Sequence, residues 1–118
     1  MENYNSLKTA PWYEMRNKIS KIIVDEGVTV IGTQAFRQCK NVEEVLLPDS
    51  LKIIGGNAFI QCVGLKNIVL PKNLQEIQRY AFAGTSIQEC RYAGNMNMWN
   101  AIAIGIKNEV LRINLICN

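Results

Sequence analysis

Apolar positions along this chain fall into columns spaced 23 residues apart. Ile19, Val42 and Leu65 form one, followed by Ile22, Val45 and Ile68; Val24, Leu47 and Leu70; Val28, Leu51 and Leu74; Ile31, Ile54 and Ile77; Ala35, Ala58 and Ala81; and Phe36, Phe59 and Phe82. Pro48 and Pro71 also align, as do Gly32 and Gly55. Self-similarity at a fixed period marks a repeat architecture, in which no unit buries its own apolar face and stacking on the next unit does so instead. The expected fold class is an α/β solenoid of 23-residue coils, each a short parallel strand plus a helical turn.

Within one unit, "GLKNIVLP" (64–71) places Leu65, Ile68 and Leu70 inward and ends at Pro71, the pattern of a short strand stopped by proline. Successive strands are expected to pair in parallel at about 4.8 Å. Ile54, Ala58, Phe59 and Cys62 recur three and four apart, which predicts a helical turn on the opposite side. Gly32 and Gly55 fit the corner between the two, although Gln78 stands there in the third unit. That unit is also one residue short, because the inward residue after Phe82 is Ile87, five positions on instead of six. Beyond Tyr92 the period ends. Asn95 is a candidate N-cap for a helix to about Ala103 or Ile104 with Gly105 as its stop, and "VLRINLIC" (110–117) alternates like a final strand. The chain thus reads as one domain over 1–118: an N-terminal cap (1–18), repeats (19–92), and a C-terminal cap of helix and strand (93–118).

Composition narrows the function classes. The 118 residues are 48% hydrophobic and 19% charged, as in a folded domain, and the formal charge of +3 is scattered, which leaves nucleic acid without an electrostatic footprint. The absence of His removes imidazole bases and most mixed zinc sites. Glu43 and Glu44 are adjacent and point to opposite faces of a strand, so they are not a paired acid and base. "GGNAF" (55–59) lacks the Lys-Ser/Thr continuation of a phosphate loop and reads as a corner. "MENYNSLKTAPWY" has an early acid and no apolar core, unlike a signal peptide or an anchor, and no membrane insertion is expected. No catalytic residue, cofactor or metal site is expected, so the chain does not read as an enzyme.

Cys39, Cys62, Cys90 and Cys117 form no CxxC pair. Cys39 and Cys62 sit at equivalent positions, where neighbouring units bring them close enough for a disulfide or stack them as buried thiols. Trp12 and Trp99 flank the repeats, placed either to plug the ends of the stack or to stack on a sugar ring.

The units "VTVIGTQAFRQCKNVEEVLLP" and "LKIIGGNAFIQCVGLKNIVLP" resemble the BspA-like leucine-rich repeats of bacterial and trichomonad surface proteins, with an "IG" corner, "AF", a following Cys and a strand ending in "LP". "APWY" (10–13) and "YAGNMNMWNAI" resemble that family's flanking segments. The likeness to ordinary leucine-rich repeats is looser, since the column that would carry an asparagine ladder is Gly27, Ser50, Asn73. The resemblance implies a right-handed leucine-rich-repeat superhelix, a segment of a longer exported protein, an extracellular or cell-surface location, and adhesion to a protein or glycan partner, host or matrix among them.

On that fold the residues between the inward ones face outward: Lys21 and Ile23, Glu44 and Leu46, Asn67 and Val69, Glu89 and Arg91. They make an apolar stripe rimmed by mixed charge, the expected partner-binding surface of an interaction module. The same apolar run also fits strands covered on both faces, by the N-terminal segment or by a neighbouring coil's side chains. The alternative function is a structural spacer or stalk with no ligand of its own.

Overall fold

The computed structural model describes residues 17–117. In chain order the elements are β1 (Lys21–Ile23), β2 (Val30–Ile31), β3 (Glu44–Leu46), β4 (Ile53–Ile54), β5 (Asn67–Leu70), β6 (Glu76–Ile77), β7 (Glu89–Tyr92), α1 (Met96–Asn100), β8 (Ala103–Ile104), α2 (Glu109–Ile113) and β9 (Leu115–Cys117). All strand pairs are parallel. Each unit therefore supplies two short strands where one was expected. The second set, β2-β4-β6-β8, forms a continuous four-stranded sheet through the "IG" corners, with Ile31, Ile54 and Ile77 turned into the core. The first set divides into β1-β3 and β5-β7-β9; β3 and β5 lie alongside each other without sharing a ladder.

The strand register contains steps of both 23 and 22. Lys21 pairs with Glu44, a step of 44 − 21 = 23, whereas Asn67 pairs with Glu89, a step of 89 − 67 = 22. The residue missing from the third unit is lost from the turn, and the strands stay aligned.

The stretch after each corner, expected as a helical turn, is a run of β-turns. Ala35, Arg37 and Cys39 donate backwards to Gly32, Gln34 and Phe36, while the alternate amides of Gln34, Phe36 and Gln38 donate to the carbonyls of Gly56, Ala58 and Ile60 in the next unit at 2.8–2.9 Å. Left-handed residues make this possible: Gln34 and Gln38 have φ of 61° and 59°, and Asn57, Gln61 and Tyr80 repeat it. A helix this short would leave its first-turn N–H groups unbonded and is not sustained alone. Every second amide is instead spent on the neighbouring unit. Each left-handed side chain costs about 1–2 kcal/mol, offset in part where Gln38 Nε2 donates to Gln61 Oε1 at 2.8 Å.

Inside, Phe36, Phe59 and Phe82 stack with centroids 5.5 and 5.3 Å apart. Asn108, 1% exposed, closes this spine. Its Oδ1 accepts the Phe82 N–H that a following backbone carbonyl would otherwise take, as Ala58 and Ala81 do for Phe36 and Phe59. Its Nδ2 donates to the carbonyls of Gln78 and Gly105.

The C-terminal segment departs from expectation twice. Asn95 does cap α1, accepting from Met98 N–H, but the helix ends at Asn100 and not near Ile104. Ala103 and Gly105 donate to Gln75 and Ile77, so the open edge of β6 claims this stretch as β8. Within 110–117, only Leu115–Cys117 is strand; Glu109–Ile113 is α2, which buries Leu111 completely. α2 takes the place of the turn run in this unit, with Leu111 N–H donating to the Asn108 carbonyl. Trp99 is buried edge-on against Tyr92, 5.4 Å between centroids, and Tyr92 Oη donates to the Lys72 carbonyl. Trp12 and "APWY" lie outside the described residues.

Because Phe59 is fully buried between two rings, Phe59→Ala should lower unfolding free energy by about 3–5 kcal/mol. Urea denaturation checks this, and a loss below about 1 kcal/mol would refute the spine as a main support.

Candidate functional site

Parallel pairing puts every second strand residue on one outer surface. Lys21, Ile23, Glu44, Leu46, Asn67, Val69 and Arg91 are exposed there, and Glu89 is partly so. All eight residues expected on this face are on it, and no described element covers them. Ile23 lies beside Leu46, and Val69, Arg91 and Ile116 form one row across β5, β7 and β9. The large apolar members, Ile23, Leu46, Val69 and Ile116, are 61%, 44%, 55% and 42% exposed. Ile116 was missed by the sequence reading, though the alternation of 110–117 signalled a strand; only its register supplies the match to Arg91.

The rim charges answer one another. Lys21 Nζ lies 3.1 Å from Glu44 Oε1 across β1 and β3, and Arg91 engages Glu89 within β7, Nε to Oε2 at 2.8 Å and Nη2 to Oε1 at 3.4 Å. Exposed pairs of this kind add up to about 1 kcal/mol each. Their effect here is to leave the apolar row flanked by neutralised charge. Between β3 and β5, where the ladder is interrupted, the face dips into a cleft of about 410 Å³ bordered by Glu44, Leu46, Asn67 and Val69.

The outer loop between the two sheets carries a partial substitute for the asparagine ladder. Ser50 Oγ accepts from Gly27 N–H and donates to the Val28 carbonyl, and Asn73 Nδ2 donates to the Asp49 carbonyl. Each thus reaches back one unit.

The four cysteines are free. Cys62 Sγ donates to the Phe36 carbonyl at 3.1 Å, and its hydrogen bond with Cys39, with burial second, pushes its thiol far above the ordinary range. Burial, and then the nearby Cys117, pushes Cys90 up to about 12. Among the described residues no group of three or more His, Cys, Asp or Glu side chains could hold a metal ion, and no helix is long and apolar enough to cross a membrane.

Residues 5–111 match the family model described as a BspA type leucine rich repeat region (6 copies). The chain belongs to the BspA-type leucine-rich repeat family. Among solved structures it is similar to a leucine-rich repeat protein from Eubacterium ventriosum, with 23% identity and a TM-score of 0.61 over 89% of this chain and 32% of that one. A leucine-rich repeat protein from Bacteroides ovatus shares 27% identity with a TM-score of 0.52, over 73% of this chain and 33% of that one. A leucine rich cell surface protein from Faecalibacterium prausnitzii shares 19% identity with a TM-score of 0.45, over 72% and 35%. This chain spans about a third of the length of these relatives. No curated protein matches it significantly.

In this BspA-type domain the thiol shifts carry a pH signature. A raised thiol pKa means the folded chain holds its proton after the unfolded chain, with its ordinary value of 9.0, has lost it. The contribution of Cys90 is therefore fully present below about pH 9 and should drain away between 9 and 12, at about 1.4 kcal/mol per pH unit. Urea melts at pH 8, 9.5 and 11 test this; Cys90→Ala should flatten the decline, and an unchanged slope would overturn the assignment.

Proposed function

We propose that these units wind as a right-handed solenoid of 23-residue coils within a non-catalytic, cell-surface or secreted adhesin, and that the outer strand face binds a protein or glycan partner. The carrying observation is the exposed apolar row Ile23, Leu46, Val69 and Ile116, with its neighbouring charges already paired. Isolated surface apolar residues are ordinary, but apolar residues grouped on one face, with Arg91 between Val69 and Ile116 and polar groups at the border, match the composition of an interface core and rim. Membership of the BspA-type family supports the surface setting.

The test is a Leu46→Glu, Val69→Lys double variant, both positions being exposed so that folding is retained. Against immobilised extracellular-matrix proteins and an oligosaccharide array, the wild-type chain should bind at least one component, and the variant should lose about 2 kcal/mol or more of that affinity with its melting temperature unchanged. Binding that survives in the variant would move the site elsewhere. No binding by the wild-type chain would favour the spacer.

A further inference from the structure

A second surface, on the other sheet, carries chemistry that the apolar row does not. Along the corners of β2, β4, β6 and β8 runs a groove of about 680 Å³. Thr33, Gly56 and Arg79 occupy the same position in three successive units, and all three line it. In the middle unit the Gly56 N–H donates to Gln78 Oε1 at 3.0 Å. Gln78 stands where the other units carry Gly32, Gly55 and Gly105, so a side-chain oxygen meets that amide only there.

On either side the facing residue is glycine. A Cβ on Gly55 would lie 2.7 Å from Thr33 N, and one on Gly105 would lie 2.5 Å from Arg79 N. Among the described residues no acceptor meets the N–H of Thr33 or Arg79. The two amides are two strand spacings apart, roughly 10 Å, and Arg79, which lines the groove, is exposed. Among the described residues neither Arg79 nor Glu76, which also lines the groove, has an ion-pair partner.

We propose that this groove binds an acidic oligosaccharide, a uronic-acid oligomer, in the way the Gln78 carbonyl oxygen already sits on Gly56. A sugar carboxylate engages the Arg79 guanidinium, a charge-assisted contact of the strong class, and ligand oxygens accept from the amides of Arg79 and Thr33. Sugar hydroxyls both donate and accept. They therefore satisfy Glu76, which only accepts, together with Gln34 and Asn57, which also line the groove. A run of acidic peptide side chains would instead set carboxylates against Glu76.

Titration calorimetry of the full chain with a galacturonic acid tetramer tests this, with a neutral galactose tetramer and an oligoglutamate peptide as comparators. The uronide should bind, with affinity at least tenfold above both comparators. Arg79→Ala should weaken it about tenfold or more, the loss of one charged hydrogen bond. Gln78→Gly should tighten it several-fold by freeing the Gly56 amide, and glycine is already tolerated at that corner in the other units. If Gln78→Gly lowers the melting temperature, Gln78→Ala removes the same oxygen and serves instead. The Leu46→Glu, Val69→Lys variant should bind the uronide unchanged, which separates this site from the strand face. Equal affinity for the neutral tetramer, tighter oligoglutamate binding, an unaffected Arg79→Ala, weaker binding on loss of the Gln78 oxygen, or no uronide binding would each overturn the proposal.

Discussion

On the turn side of the stack, Gln34, Phe36 and Gln38 send their amides to Gly56, Ala58 and Ile60, and Asn57, Phe59 and Gln61 send theirs to Arg79, Ala81 and Ala83. These unit-to-unit bonds are the constraint from which the remaining features follow. They require a left-handed residue on either side of each Phe, and they hold successive backbones at hydrogen-bonding distance. The phenylalanine rings, carried on that backbone, can then only stack, which is why their centroids lie 5.5 and 5.3 Å apart and nearly parallel. Cys39 and Cys62 follow one step later in each unit and are pressed together for the same reason. The spine is less a cause of the stacking than the filling that the stacking demands.

The same constraint decides where the chain tolerates irregularity. Between β5 and β7 the step is 22, between β6 and β8 it is 103 − 76 = 27, and between β7 and β9 it is 115 − 90 = 25. All the variation is absorbed in turns or helices, because a change of one within a paired strand would turn its inward residues to solvent. Outer columns therefore stay aligned despite the drift, and Val69, Arg91 and Ile116 remain in one row across two irregular steps.

Much of this was legible in the sequence, for a reason that also marks the boundary of legibility. Ile22, Val45 and Ile68, or Phe36, Phe59 and Phe82, repeat because burial constrains side-chain type, and type is what a sequence records. Once the inward columns were known, alternation gave Lys21, Ile23 and their counterparts as the outward ones. The second sheet was missed because Ile53–Ile54 or Glu76–Ile77 is too short to alternate. The turn run was mistaken for a helical turn because Ala58, Phe59 and Cys62 sit three and four apart in both, while the left-handed φ of Gln34, Gln38 and Gln61 has no signature in glutamine. Tyr80, with φ 59°, is an even less expected occupant. In the C-terminal segment, the open edge of β6 outweighed helical periodicity at Ala103–Ile104. Ile116 fell outside the expected face because its row is fixed by pairing with Arg91 across a 25-residue step that no period announces.

Backbone chemistry is the part that sequence reading reaches last, and in this fold it is where side chains repeatedly stand in for a neighbouring unit. Asn108 supplies a carbonyl to Phe82, Gln78 supplies one to Gly56, and Ser50 bridges Gly27 and Val28. Each case shows a main-chain group whose partner is set by a residue one unit away. The two outer surfaces consequently answer to different rules. The strand face is written in side chains, so exchanges such as Val69 for Arg91 in successive units alter its character without touching the ladder beneath. The corner groove is lined by residues whose main-chain amides face the next unit's corner residue, which at Gln78 supplies an acceptor to Gly56 and at Gly55 and Gly105 supplies none. A repeat protein built this way can vary one surface by ordinary substitution while the other responds mainly to a single position per unit.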